Sequence, residues 1–293
     1  MKKNQSSITA TGIAFARAME STRSEGERVC YDPFARHFIN RAFFHFMKFF
    51  VDIGYAEKRG PGVMGFLVVR DRYIDDYVQS CLDDGLEQLV ILGAGYDSRA
   101  YRFDQLRECR VLEIDHPATQ QVKIEKVKQL LGSLPDHVVY VPIDFEQETL
   151  DKRLFESGYD ERKKTLFIWQ GVTQYLRPEA VDSTLAFVAH HSGEGSSIIF
   201  DYMYKSLLDG TVKRGEVSGM RRYRPFTGEG FNFGIQEGTI KAFLEQRGFY
   251  QVCNADHEFL KKAYFTGANE KRKIASGYAI ASAVVKPRGE ARE

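Results

Sequence analysis

The chain has 293 residues, room for one large α/β domain with an added cap or for two small domains. Hydrophobic residues make up 43%, which supports a sizeable core, and 22 Phe with 15 Tyr suit that core or a pocket for a flat apolar ligand. Lys and Arg total 41 against 40 Asp and Glu, so a net charge of +1 gives no electrostatic reason to expect a nucleic acid or an anionic membrane as partner.

The first 60 residues read as helical and irregular. The apolar cluster FFHFMKFFV is too short to span a bilayer and carries His45 and Lys48. It reads as a core helix, with a lid over an acceptor pocket as the sharper alternative. Lys2 and Lys3 are followed by polar residues where a signal peptide would have its apolar stretch. The four cysteines, Cys30, Cys81, Cys109 and Cys253, form no CxxC pair. Zinc and disulfide readings are weak, no metal is expected, and a reduced cytoplasmic setting is. RGPG at 59 to 62 is a breaker. After it Phe66, Arg70, Tyr73, Ile74, Tyr77, Val78 and Cys81 fall at helical spacing, which puts Arg70 on a face of buried residues. We expect residues 1–84 to form an N-terminal helical cap and 85–293 the main domain.

From residue 87 short apolar runs alternate with amphipathic helices. The runs QLVILG, RVLEID, VVYVPID, TLFIWQG and SSIIFDY read as strands, and FYQVCNA and GYAIASAVVK as closing strands. Between them, ATQQVKIEKVKQLLG has Ile124, Val127 and Leu131 in register with Gly132 as a stop. RPEAVDSTLAFVAHH has Pro178 near its start and Val181, Leu185 and Val188 on one face. Strands separated by helices predict a parallel sheet with right-handed crossovers. Residues 203–235 fit no regular element and read as a functional or mobile insertion on the acceptor side.

In an open α/β sheet, ligands bind beyond the carboxyl ends of the strands. The first end is Gly93-Ala94-Gly95, a turn whose backbone can approach a ligand closely. Ser98 stands where a dinucleotide loop has its third glycine, so the ligand need carry no pyrophosphate. Asp115 lies 20 residues after Gly95, the spacing at which a carboxylate meets ribose hydroxyls. Asp144 and Phe145 end the third run and could hold an adenine; Gln170 and Gly171 end the fourth. For each acid the competing reading is a helix N-cap. His116 reads as a loop residue packed over the ligand, with a general base as the alternative.

These motifs, LVILGAGYDSRAYRF, VLEIDHP, VPIDFEQETL and WQGVTQYLRPEAV, with TATGIAFARAMES, YDPFARHFI and GEGFNFGI, together resemble the leucine carboxyl methyltransferase family. The resemblance is to its bacterial branch of S-adenosylmethionine-dependent O-methyltransferases, which includes polyketide carboxyl methyltransferases. It implies a class I methyltransferase of Rossmann-like α/β fold: a seven-stranded, mostly parallel sheet, helices on both faces and an N-terminal helical cap. It implies S-adenosylmethionine as cofactor, with Gly93, Ala94 and Gly95 at its methionine part, Asp115 at the ribose, and Asp144 with Phe145 at the adenine. His116, Gln170 and Gly171 would complete that surface. Arg70 and Arg17 match basic positions near the cofactor carboxylate. Many relatives carry Glu where this chain has Gln170, so a role that needs a carboxylate there does not carry over.

A small-molecule acceptor is expected, with neither nucleic acid nor membrane as partner. A carboxylate is the expected nucleophile because it is ionised at neutral pH, whereas a phenol needs a base. Arg70 and Tyr175 could orient it, helped by Arg221, Arg222 or Arg224, between walls from Phe43, Phe44, Phe226 and Phe231. Phenol or protein C-terminal carboxyl methylation, an NAD-dependent dehydrogenase and a non-catalytic cofactor-binding protein are the competing readings.

Overall fold

The computed structural model of the protein describes residues 8–144, 148–210 and 230–287. Within them the seven apolar runs are strands: β1 (Gln88–Leu92), β2 (Arg110–Asp115), β3 (Val138–Pro142), β4 (Thr165–Trp169), β5 (Ser197–Met203), β6 (Phe249–Ala255) and β7 (Tyr278–Val285). They form one sheet in the order β3-β2-β1-β4-β5-β7-β6. β1 to β5 run parallel, while β7 is antiparallel to both β5 and β6. Continuous apolar runs suit this arrangement, because a parallel sheet covered on both faces buries every residue of its central strands. All of β1, β4 and β5 is buried.

Four helices precede the sheet: α1 (Ile8–Glu20), α2 (Arg41–Asp52), α3 (Tyr55–Arg59) and α4 (Val63–Asp83). Then come α5 (Arg99–Arg102), α6 (Pro117–Leu131), α7 (Leu150–Glu156) and α8 (Pro178–His190). α9 (Lys205–Leu208), α10 (Ile240–Glu245) and α11 (His257–Tyr264) follow. One apolar cluster joins Phe15 of α1, Phe44 of α2 and Val69 and Ile74 of α4 to Leu89, Ile91 and Ile199 of the sheet. The other joins Val90, Leu112 and Phe167 to Val181, Leu185 and Val188 of α8. The N-terminal helices therefore form one of the two layers that cover the sheet.

Helix α4 matches its expected face: Phe66, Arg70, Ile74 and Val78 are buried. Two other expectations change. Of the residues of α2 only Phe44 is buried, while Phe43, Phe46 and Phe49 are 40%, 61% and 58% exposed. The aromatic residues surround too much of that helix for one core face to take them. On α6 the buried residues are Thr119, Gln120, Lys123 and Val127, and Leu131 is exposed. The cause lies beneath it: Lys123 Nζ reaches Glu113 of β2 at 2.7 Å, both fully buried, so the helix turns a polar pair inward. Gly132 ends α6 as expected. Of residues 203–235, Met203 closes β5 and α9 follows, and Tyr204 forms a bridge with Ile235; residues 211–229 lie outside the described residues.

Candidate active site

β1 and β4 are neighbours where the strand order reverses, so the loops that leave their carboxyl ends flank one crevice. Gly93 (φ 69°) and Gly95 (φ 47°) both hold left-handed backbone, which a glycine adopts without strain. A Cβ at Gly93 would run into Val172 in the loop after β4. A Cβ at Gly95 would stand 3.2 Å from Ala10, and one at Gly171 (φ 72°) 3.1 Å from Ile13. Helix α1 thus crosses above both turns, with Ala94 buried between the two glycines of the first.

Asp115 ends β2 and closes the crevice on that side. One of its carboxylate oxygens accepts the Gly95 N–H and the other the His116 N–H at 2.6 Å. Burial pushes its pKa up, and those two amides oppose the rise. β3 ends beside it, since the Ile143 N–H donates to the Asp115 carbonyl at 3.0 Å, and Asp144 comes next in the chain. The Asp144 N–H donates to Glu148 at 3.1 Å. Phe145 lies outside the described residues. His116 is the N-cap of α6, where its Nδ1 accepts the Ala118 N–H at 3.2 Å.

Arg70 is 2% exposed. Its Nη1 meets Asp201 of β5 at 2.6 Å, but its Nε and Nη2 are buried with no hydrogen-bond partner. A Cβ at Gly171 would lie 3.5 Å from Nη1 and 3.9 Å from Nη2. The same Asp201 accepts the Gly171 N–H at 2.5 Å. A buried guanidinium with two idle nitrogens is costly unless an anion reaches it. This end of the crevice is therefore suited to a carboxylate.

A second knot of buried charge lies alongside. Arg99, fully buried, pairs with Asp97, with Asp75 at 2.7 Å and with Asp71 at 3.3 Å. Its Nη1 also donates to Gln170 Oε1 at 2.9 Å, and Gln170 Nε2 donates to Asp71 Oδ1 at 3.3 Å. Arg17 pairs with Asp32 at 3.0 Å and Asp71 at 3.5 Å and donates to the Tyr96 carbonyl. Its Nη1 and Nη2 donate within the chain, and its Nε faces the Asp32 carboxylate as an ion pair. Burial would raise the Asp97 carboxyl, but Arg99 and Arg17 outweigh it and hold the pKa at about 2.

Tyr175 lies in the short 3₁₀ turn Thr173–Tyr175. Its ring stacks on Phe231 with centroids 5.5 Å apart, and Asn232 Nδ2 donates to its carbonyl at 2.9 Å. The Asn232 and Phe233 amides both donate to the Gln174 carbonyl, at 2.8 and 3.3 Å. The chain that returns after the insertion therefore runs along the loop after β4. Phe44 packs against Phe15 instead, at 5.6 Å. Arg221, Arg222, Arg224 and Phe226 lie outside the described residues.

Sequence reasoning missed Asp71, Asp97, Arg99 and Asp201. For two of them a signal existed. Asp71 sits with Ile74 and Val78 at the i, i+3, i+7 spacing of a buried helical face, and Asp201 sits inside a strand whose every residue is buried. Among the described residues no group of His, Cys, Asp and Glu could hold a metal ion, and no helix is long and apolar enough to cross a membrane.

Comparison with known proteins bears on this site. The family described as leucine carboxyl methyltransferase matches residues 10–189. A Bacillus subtilis protein, provisionally named S-adenosyl-L-methionine-dependent methyltransferase YktD, is 30% identical over 296 residues, covering 92% of this chain and 95% of its own. A Mycobacterium avium protein, provisionally named an S-adenosyl-L-methionine-dependent methyltransferase, is 33% identical over 202 residues, 66% of this chain and 65% of its own. Among solved structures, one from Thermobifida fusca, provisionally named a methyltransferase, superimposes with a TM-score of 0.58 at 14% identity, over 98% of this chain and 97% of that one. That likeness bears on the fold.

Proposed function

The chain belongs to the leucine carboxyl methyltransferase family and is an S-adenosylmethionine-dependent methyltransferase; from that premise we propose that it methylates a carboxylate on a small apolar or aromatic molecule. The crevice suits the cofactor group by group. S-adenosylmethionine carries a carboxylate, and Arg70 has two idle buried nitrogens beside Gly171. It carries no phosphate, and the Gly93-Ala94-Gly95 turn lacks the third glycine of a pyrophosphate loop. Asp115 would take the ribose and Asp144 the adenine amine, at the ends of β2 and β3. When bound, the cofactor supplies an electrophilic methyl group on a sulfonium.

The observation that carries the choice of acceptor is the engagement of His116. Its Nδ1 lone pair accepts the Ala118 amide at 3.2 Å as the N-cap of α6, so using that nitrogen as a base would break the cap. A carboxylic acid needs no such base at neutral pH. A carboxylate acceptor would reach the methyl group with no proton to lose, so the chain would need to hold no base beside it. The task of the chain is alignment and exclusion of water. Helix α1 covers the turns, Arg70 fixes one end of the cofactor, and Tyr175 with Phe231 forms a flat wall for the acceptor.

The test is incubation with methyl-labelled cofactor and matched panels of acids, phenols, amines and peptides ending in leucine. Carboxyl methyl esters release labelled methanol in mild base and aryl ethers do not. Base-labile product from the small acids supports the proposal. Base-stable product overturns it in favour of a phenol, and product from the peptides alone overturns it in favour of a protein C-terminus. Cofactor binding without any product would make the chain a non-catalytic binder.

A further inference from the structure

We propose that Asp71 supplies, through the side-chain amide of Gln170, the negative charge that holds the ammonium group of the bound cofactor. Asp71 is then a positioning residue, and the proposal rests on the S-adenosylmethionine reading above. Gln170 leaves β4 beside Gly171, in the wall of the crevice, and is neutral. Its amide has one orientation. Oε1 accepts from Arg99 at 2.9 Å and Nε2 donates to Asp71 at 3.3 Å. A flipped amide would set its oxygen against the carboxylate and its hydrogens against the guanidinium. The amide oxygen keeps a second lone pair, and the bond from Nε2 to a carboxylate makes that oxygen a stronger acceptor.

The charge balance points the same way. Arg17, Arg99 and Arg102 face Asp32, Asp71, Asp75 and Asp97, three cations against four anions. The excess is one negative charge, in a place where an unmatched charge is costly. Asp71, 1% exposed, carries a buried Oδ2 with no hydrogen-bond partner. The preceding residue on α4 is Arg70, with its idle Nε and Nη2. Consecutive residues thus offer one unmet anionic and one unmet cationic group, the complement of an α-amino acid's ammonium and carboxylate.

The experiment compares two ligands, S-adenosylhomocysteine and its analogue without the amino group, by calorimetry on the full chain. The proteins are wild type, Asp71→Asn, Gln170→Glu and the exchange variant carrying both changes. Wild type should prefer the amino ligand by about tenfold, near the lower end for a hydrogen bond to a charged group. Asp71→Asn should lose that preference while still binding the analogue. Gln170→Glu alone sets two carboxylates against each other and should bind both ligands poorly. The exchange variant, with the carboxylate moved to position 170, should regain the preference. Equal weakening of both ligands by Asp71→Asn, or an exchange variant without preference, overturns the proposal. If Asp71→Asn does not fold, the exchange variant decides alone. Wild type that binds neither ligand overturns the S-adenosylmethionine reading itself, a result distinct from the others.

Discussion

Arg70 and Asp201 form a fully buried ion pair, 2.6 Å from Nη1 to Oδ2, and the second oxygen of Asp201 takes the Gly171 amide at 2.5 Å. One carboxylate therefore fixes both the cation of the crevice and the turn beside it. Asp201→Ala leaves a buried guanidinium uncompensated, and should cost about 3–5 kcal/mol in urea unfolding. The double variant Arg70→Met with Asp201→Leu should recover much of that stability and still fail to bind S-adenosylmethionine. Cofactor binding by the double variant would remove Arg70 from the site.

Gly93 should tolerate no side chain. Gly93→Ala forces a left-handed backbone on a Cβ that also meets Val172, and should cost about 1–3 kcal/mol of stability from the backbone alone. Adding Val172→Ala should relieve the collision but not the backbone strain. Full recovery of melting temperature in the double variant would show that packing, and not conformation, selects glycine there.

Asp115→Ala should weaken S-adenosylmethionine binding by roughly 1.5–3 kcal/mol, the scale for hydrogen bonds to a charged group. Unchanged affinity in a titration would remove Asp115 from the ribose site. The wild-type carboxylate accepts one amide on each oxygen, so the melting temperature of the variant should be read beside its affinity to separate loosening of the turn from loss of the ribose contact.

The strand ends were legible because β1 to β4 end in, or are soon followed by, glycine or acidic residues after short, mainly apolar runs, and that pattern is local. The position of β7 was not legible: its apolar run reads alike whether it lies at an edge or between β5 and β6. The buried knot was hidden for a different reason. The spacing of Asp71 hints that it is buried, but its partners Asp97, Arg99 and Gln170 lie far off in sequence or in turns, and only their three-dimensional meeting shows what it pairs with. The same cause displaced the expected face of α6, where Lys123 turns inward to Glu113.

Acid should reveal Asp97. Burial favours its neutral form, but Arg99 and Arg17 depress its pKa from 3.8 to about 2 in the folded chain. A carboxyl with a depressed folded pKa stabilises above its unfolded pKa and loses that contribution as pH falls through the folded one. The stability difference between wild type and Asp97→Asn should therefore shrink by up to about 2 kcal/mol as pH drops from about 5 toward about 2. Glu113 is raised by burial, and the Asp97 charge adds to that rise, so Asp97→Asn also eases Glu113 and the difference carries both effects. A difference that stays constant with pH would contradict the charged pairing.

Helix α1 should be needed for folding as well as for the site. Ala14, Phe15, Ala16 and Ala18 are buried, and Arg17 belongs to the knot. Deleting the first 20 residues should abolish cooperative unfolding. Ala10→Leu is the milder probe, since it adds bulk 3.2 Å from the position of a Gly95 side chain. It should reduce S-adenosylmethionine affinity by about tenfold with little change in melting temperature. A stable truncated chain would show that α1 is only a cover.

The place of β7 between β5 and β6 has a consequence for synthesis. Seven wholly buried residues of β5 have their far partner only in Tyr278–Val285, which also carries β6 into the sheet. At a ribosomal rate of about 5–20 residues per second, roughly 4 to 16 s separate the two strands of that pair. Through that interval the nascent chain shows a bare apolar edge, the kind of surface that other chains add to. Ribosome-associated chaperones should engage it there, and a chain that stops short of residue 278 should be cleared by proteases even though every residue named in the crevice has already been made.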